Sequence, residues 1–138
     1  MSAEEEAYRE LCAYTLTHGD PTFIHQHVVD AWAAQHAHAG SKPIGVCFAL
    51  VGLYLHVEKG RTGREVQQAH MVLAKIPETW PVGALPLARG SLTVIDVMSK
   101  AEGPDRDAAI SRWAASVWAA FAESRPSIED LLRRRRLI

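Results

Sequence analysis

The sequence predicts an all-α fold: a single-domain helical bundle of six or seven helices spanning residues 1–138. Three observations predict it. Apolar residues recur at three- and four-residue spacing along most of the chain, as they do on helices with one buried face. Helix starts (Ser2, Asp20-Pro21, Pro43, Thr62, Thr93) and stops (His18-Gly19, Gly40-Ser41, Gly60) punctuate that pattern. No segment alternates with the two-residue period of a half-buried strand. With 48% hydrophobic and 22% charged residues in 138, the chain suits one globular core and neither a disordered nor a two-domain chain.

Each element follows in turn. Ser2 caps the first helix, with Glu4, Glu5 and Glu6 near its positive end and Tyr8, Leu11, Cys12, Thr15 and Leu16 forming its stripe. Asp20 then caps a second helix that opens at Pro21 and carries four of the seven histidines. Ile24, His27, Val28, Ala31 and His38 share one stripe of it, while Val29 and Trp32 lie toward the other side beside His25 and His36. A helix apolar on most of its circumference is expected at the centre. Pro43 starts the third helix, PIGVCFALVGLYLHVEKG, the most apolar segment. Gly45, Ala49 and Gly52 stack on one face of it, and His56 completes the line. A glycine inside a helix costs roughly 1 kcal/mol against alanine, so two on one face imply close approach by a neighbouring helix or a bound group. If a group binds, those three residues line its pocket.

Thr62 and Glu65 form a capping box that opens the fourth helix, with Val66, His70 (or Ala69) and Leu73 inward. From Pro77 to Pro86 the chain reads as a loop, in which Trp80 either pins the loop to the core or, if exposed, marks a partner surface. Thr93 caps a short helix, VIDVMSKA, and Gly103-Pro104-Asp105 breaks the chain again. A long helix from about Arg106 to Ser124 buries Ile110, Trp113, Val117 and Phe121. A terminal helix within 124–138 can sit at the periphery, its Arg133–Arg136 run a solvated end that complements the helix dipole.

Several function classes drop out on composition. A net charge of −1 gives no field that gathers nucleic acid or an anionic membrane, so neither is an expected partner. Cys12 and Cys47 are far apart in apolar helical contexts and read as free thiols. The acidic N-terminus lacks the pattern of a signal peptide, and the apolar run Ile44–Val57 is too short to span a bilayer, so a cytoplasmic chain is expected. GRTGR lacks the spacing of a phosphate or dinucleotide loop, and no nucleotide or flavin is expected. The expected partner is a second copy, giving a homodimer through an apolar helix face. Any small-molecule ligand is left undefined.

The chemistry rests on one histidine from each of three successive helices: His27, His56 and His70. Neighbouring helices of a bundle can bring such side chains to one core site. Three neutral imidazoles with an open fourth position suit a divalent transition metal (zinc, iron, nickel or manganese) acting as Lewis acid or water activator. Asp30, three residues after His27, would orient its imidazole as a second-shell partner or serve as fourth ligand. No local motif supports the site: no histidine pair has four-residue spacing, and His27 and His38 lie about 16 Å apart along their helix. Two alternatives stand beside it. One is metal-free acid–base chemistry by a His27–Asp30 dyad; the other is a metal-free helical protein that contacts partners through the Trp80 loop or the terminal helix.

The segments YRELCAYTLTHGDPTFIHQHVVDAWAAQHA, KPIGVCFALVGLYLHVEKG and VQQAHMVLAKIPETWP resemble a family of small bacterial proteins catalogued as a domain of unknown function. The resemblance spans about Tyr8 to Phe121 and implies a helical fold but no activity. With three histidines in a bundle, the chain also looks like the DinB-like metal-dependent enzymes, though their histidine pair on one helix is absent here. That second resemblance implies a metal ion in the bundle core.

Overall fold

Pro43 fixes the first turn of a helix that Gly60, left-handed at φ 66°, closes after Lys59. Between these ends nine residues from Val46 to Leu55 are buried, so this helix is apolar on nearly every side. Such a helix belongs at the centre, and four other helices pack around it. The structure, a computed structural model, describes residues 1–81 and 83–138. Among the described residues it holds seven α-helices, one 3-10 turn (Ala122–Ser124) and no strand. The helices are α1 (Ala3–Thr17), α2 (His25–Gln35), α3 (Pro43–Lys59), α4 (Gly63–Ala74), α5 (Val94–Met98), α6 (Pro104–Ala120) and α7 (Arg125–Arg134). The predicted all-α single domain is the observed one. None of these helices is long and apolar enough to cross a membrane.

The hub is therefore α3, with α2, α4, α6 and α7 against it, while α1 packs on α2 and α5. Three of the predicted caps are present. Ser2 accepts from the Glu5 amide, and Thr62 with Glu65 and Thr93 with Asp96 form reciprocal capping boxes. The second helix departs from expectation, beginning at His25 instead of Pro21. The Asp20 carboxylate captures the amides of Thr22 and Ile24 and the Thr22 hydroxyl, which closes a turn instead of a helix. Phe23 is left-handed at φ 59°, and its carbonyl presses on Gly63, where an added Cβ would lie 1.8 Å from the oxygen. The entry to α2 is thus clamped against the start of α4, where the Arg64 amide also donates to the Thr22 carbonyl.

Two polar arrangements tie the long loop to the bundle. Gln35 Nε2 donates to the carbonyls of Arg89 and Leu92, and Gln35 Oε1 accepts from Trp113 Nε1 at 2.9 Å. Arg89 in turn donates to the Ala37 carbonyl. At the other end Glu78 accepts from Arg134 and Arg135, so half of the arginine run, expected to be a solvated end, holds the loop. Trp80 sets its edge on Phe48 with centroids 5.2 Å apart, which pins the loop to the core. The terminal helix is no appendage: Ile128, Leu131 and Leu132 are fully buried.

Close approach at Gly52 is what seats α2 on α3. A Cβ there would stand 1.8 Å from Asp30 Oδ2 and 3.1 Å from a Val66 methyl. Gly52→Ala is therefore expected to lower unfolding free energy by about 1–3 kcal/mol or more, as overpacked cores do. Adding Asp30→Ala to it should restore most of the loss. Chemical denaturation of the two variants checks this, and a Gly52→Ala protein as stable as the parent contradicts the close contact.

Candidate functional site

The α2–α3 contact brings two imidazoles together. His27 of α2 and His56 of α3 stack with ring centroids 3.5 Å apart and planes 17° from parallel. His56 is fixed at both nitrogens. Nδ1 lies 3.2 Å from the Arg61 carbonyl, which only accepts, so the ring hydrogen sits on Nδ1. Nε2, 3.2 Å from Ser111 Oγ on α6, is then the acceptor of the serine hydroxyl. His27 contrasts with it: the residue is 5% exposed and its Nδ1 is buried with no hydrogen-bond partner. Burial, followed by the neighbouring His56, drives the His27 pKa down to about 3 against the opposing pull of Asp20. Burial also lowers that of His56, with the Arg61 carbonyl opposing. Both rings are therefore neutral near pH 7, the state in which imidazole ligates metals.

Asp30 lies one turn along the same face of α2. It is 3% exposed; Oδ1 accepts from Gln26 Nε2 at 3.1 Å, and Oδ2 is buried against Gly52 without a partner. Burial raises its pKa well above the usual carboxylate range, with the Gln26 bond opposing. His27 Nδ1 and Asp30 Oδ2 each lack a partner, so the expected His27–Asp30 dyad does not form. Helical spacing placed both on one face, but one aims at His56 and the other at Gly52.

His70 does not join the pair. Its Nε2 is bound to the Phe48 carbonyl at 2.7 Å, and its ring stacks on the Phe48 side chain. Phe48 precedes His56 by eight residues of α3, about 12 Å along the helix. Among the described residues no three His, Cys, Asp or Glu side chains are grouped to hold a metal ion. The expected trio of His27, His56 and His70 is thus a pair, and Asp30 is not grouped with it as a further ligand. The line Gly45, Ala49, Gly52 also fails to make one pocket. Asp30 fills the Gly52 end, Ala49 is buried, and only Gly45 opens on a cleft of about 310 Å³ that Trp32, His36 and Lys42 also line. The remaining four histidines have partners elsewhere: the Tyr14 carbonyl for His18, Thr15 for His25, Glu4 and the Trp32 carbonyl for His36, the Gly40 amide for His38. Ser111 escaped the sequence reading, because a serine in mid-helix carries no signal until α6 is laid beside α3.

Fold and site define an all-α bundle with a stacked histidine pair, His27 buried and His56 half-buried, at the contact of its two most intimately packed helices. Residues 5–122 match DUF5946, a family of unknown function, and the chain belongs to that family. No curated protein and no solved structure matches it, and the resemblance to DinB-like bundles finds no counterpart there.

The raised Asp30 pKa has a definite sign in stability. The folded chain keeps a proton that the unfolded chain releases above the ordinary value of 3.8, so stability is full below that pH and falls as pH rises toward the folded pKa. Asp30→Asn removes this slope. Denaturant unfolding between about pH 4 and pH 8 should show the wild type losing ground to Asp30→Asn with rising pH. A constant difference across that range contradicts a neutral, buried Asp30.

Proposed function

We propose that this chain binds one divalent transition-metal ion (zinc, iron, nickel or manganese) through His27 and His56, with water or a substrate group completing the coordination. One observation carries the reading: a buried imidazole nitrogen without a partner, on a ring stacked 3.5 Å from a second neutral imidazole. The His56 tautomer also suits the role. A metal-bound histidine usually donates its other ring N–H to a carbonyl or carboxylate, as His56 Nδ1 does to the Arg61 carbonyl. Its Nε2 is then the ligating atom, and the Ser111 hydroxyl is free to turn toward a bound water. In-plane lone pairs of stacked rings run side by side, so His27 must rotate out of the stack to share an ion, and its Nδ1 has no hydrogen bond to lose in doing so. A centre with only two protein ligands leaves open positions, and the ion in it serves as a Lewis acid or activates water.

Untagged protein titrated with zinc should take up one ion per chain. Binding is expected to weaken at least about tenfold in His27→Ala and in His56→Ala and to hold in His70→Ala. No stoichiometric uptake by the wild type, or full uptake by His27→Ala, overturns the reading.

One observation favours a second reading, a metal-free helical protein that pairs with another copy of itself. On α4 the side chains of Met71 (57% exposed) and Val72 (43%) form an apolar cleft with Ile76, bordered by Gln68 and Lys75. Under this reading sedimentation gives a dimer that Met71→Asp dissociates; a monomeric wild type removes it.

A further inference from the structure

The cleft between the end of α2 and the start of α3 involves neither His27 nor His56. Its volume of about 310 Å³ falls at the lower end of the roughly 300–1,000 Å³ typical of small-molecule sites. Gly45 opens onto it. Of the two glycines on that line of α3, Gly52 is explained by Asp30, but a Cβ at Gly45 would meet no protein atom within 4 Å. A neighbouring helix therefore does not account for Gly45, which leaves close approach of a bound group to the backbone.

Hydrogen bonding fixes what the walls can offer such a group. The Gly40 amide donates to His38 Nδ1, so that nitrogen is an acceptor and Nε2 carries the ring hydrogen. Ser41 Oγ accepts from the His38 amide and keeps its own hydroxyl hydrogen to give. Lys42 lies in no ion pair among the described residues, and no carboxylate lines the cleft beside it. His36 is already engaged, its nitrogens each 3.0 Å from the Trp32 carbonyl and from Glu4. It adds ring surface, stacked 3.7 Å from Trp32, which Tyr8 backs at 4.2 Å. The lining thus combines three donors, one of them an uncompensated cation, with the apolar surface of Trp32, Val46 and the Gly45 backbone.

One unpaired positive charge matches one negative charge, and apolar walls match an apolar body. A phosphate dianion would leave charge unmatched. We propose that this cleft binds a small organic monocarboxylate, its head on Lys42, Ser41 and His38 and its body along Trp32, Val46 and Gly45. The site stands apart from the histidine pair, so either can fail without the other.

Benzoate is the probe, followed by heteronuclear NMR of the untagged chain. Saturable shifts are expected in the amides between His36 and Val46. Lys42→Ala should bind at least about tenfold more weakly, while Lys75→Ala, on α4, binds like the wild type. Gly45→Ala should melt no lower than the wild type, because its methyl meets nothing, and yet bind benzoate several-fold more weakly. Neutral benzamide should bind at least about tenfold more weakly than benzoate. No saturable shift, or undiminished binding by Lys42→Ala or Gly45→Ala, overturns the proposal. Benzamide binding as tightly as benzoate overturns it too, and inorganic phosphate binding as tightly overturns the assignment to carboxylates.

Discussion

The missing side chain at Gly52 is the constraint on which the middle of this bundle depends. It lets the Asp30 carboxyl lie against the α3 backbone, which sets the distance between α2 and α3 and the rotation of each. With that contact made, the next turn of both helices must place His27 over His56. A bulkier residue would push the helices apart and dissolve the stack, even though it would lower the local cost of forming α3. The glycine is thus better understood as a spacer chosen for the interface than as a weak point in a helix.

Polar groups are buried in this interior in two different ways. Gln35 spends both amide hydrogens and its oxygen on backbone and indole partners and holds the long loop to α2 and α6. Tyr54 and Trp118 similarly find Glu129 and Glu58. At the α2–α3 contact, by contrast, His27 and Asp30 each keep an unpaired atom, and such atoms are destabilising by about 1–3 kcal/mol apiece. The extensive apolar surface of α3 tolerates that loss. Among the described residues, uncompensated buried side-chain atoms fall at this one interface, which sets the contact apart as a site.

Much of this fold was legible in the sequence because its determinants are local. Ser2, Thr62 and Thr93 act within three residues of themselves, and the periodicity that turned His27 and Asp30 inward is a property of one helix. What failed was non-local. Asp20-Pro21 has the chemistry of a helix start, but the Phe23 carbonyl meeting Gly63, forty residues on, made it a turn. His70 does face α3, yet the sequence could not say at which height, and the register of α3 against α4 delivered it to Phe48. Helical periodicity gives the direction of a side chain and not its level along a neighbour. For the same reason the partners of Ser111, Arg134 and Arg135 became visible only with the helices assembled.

The burial of several histidines beside one acid has a consequence for the protein as a whole. His25, His27, His56 and His70 are all held neutral by burial, so below about pH 6.5 the unfolded chain takes up protons that the folded one refuses. Asp30 acts in the opposite sense, keeping a proton that the unfolded chain gives away. Acid and alkali therefore press on the interior of the bundle from opposite directions. Falling pH thus lowers stability through the half-buried and buried imidazoles, and rising pH lowers it through Asp30.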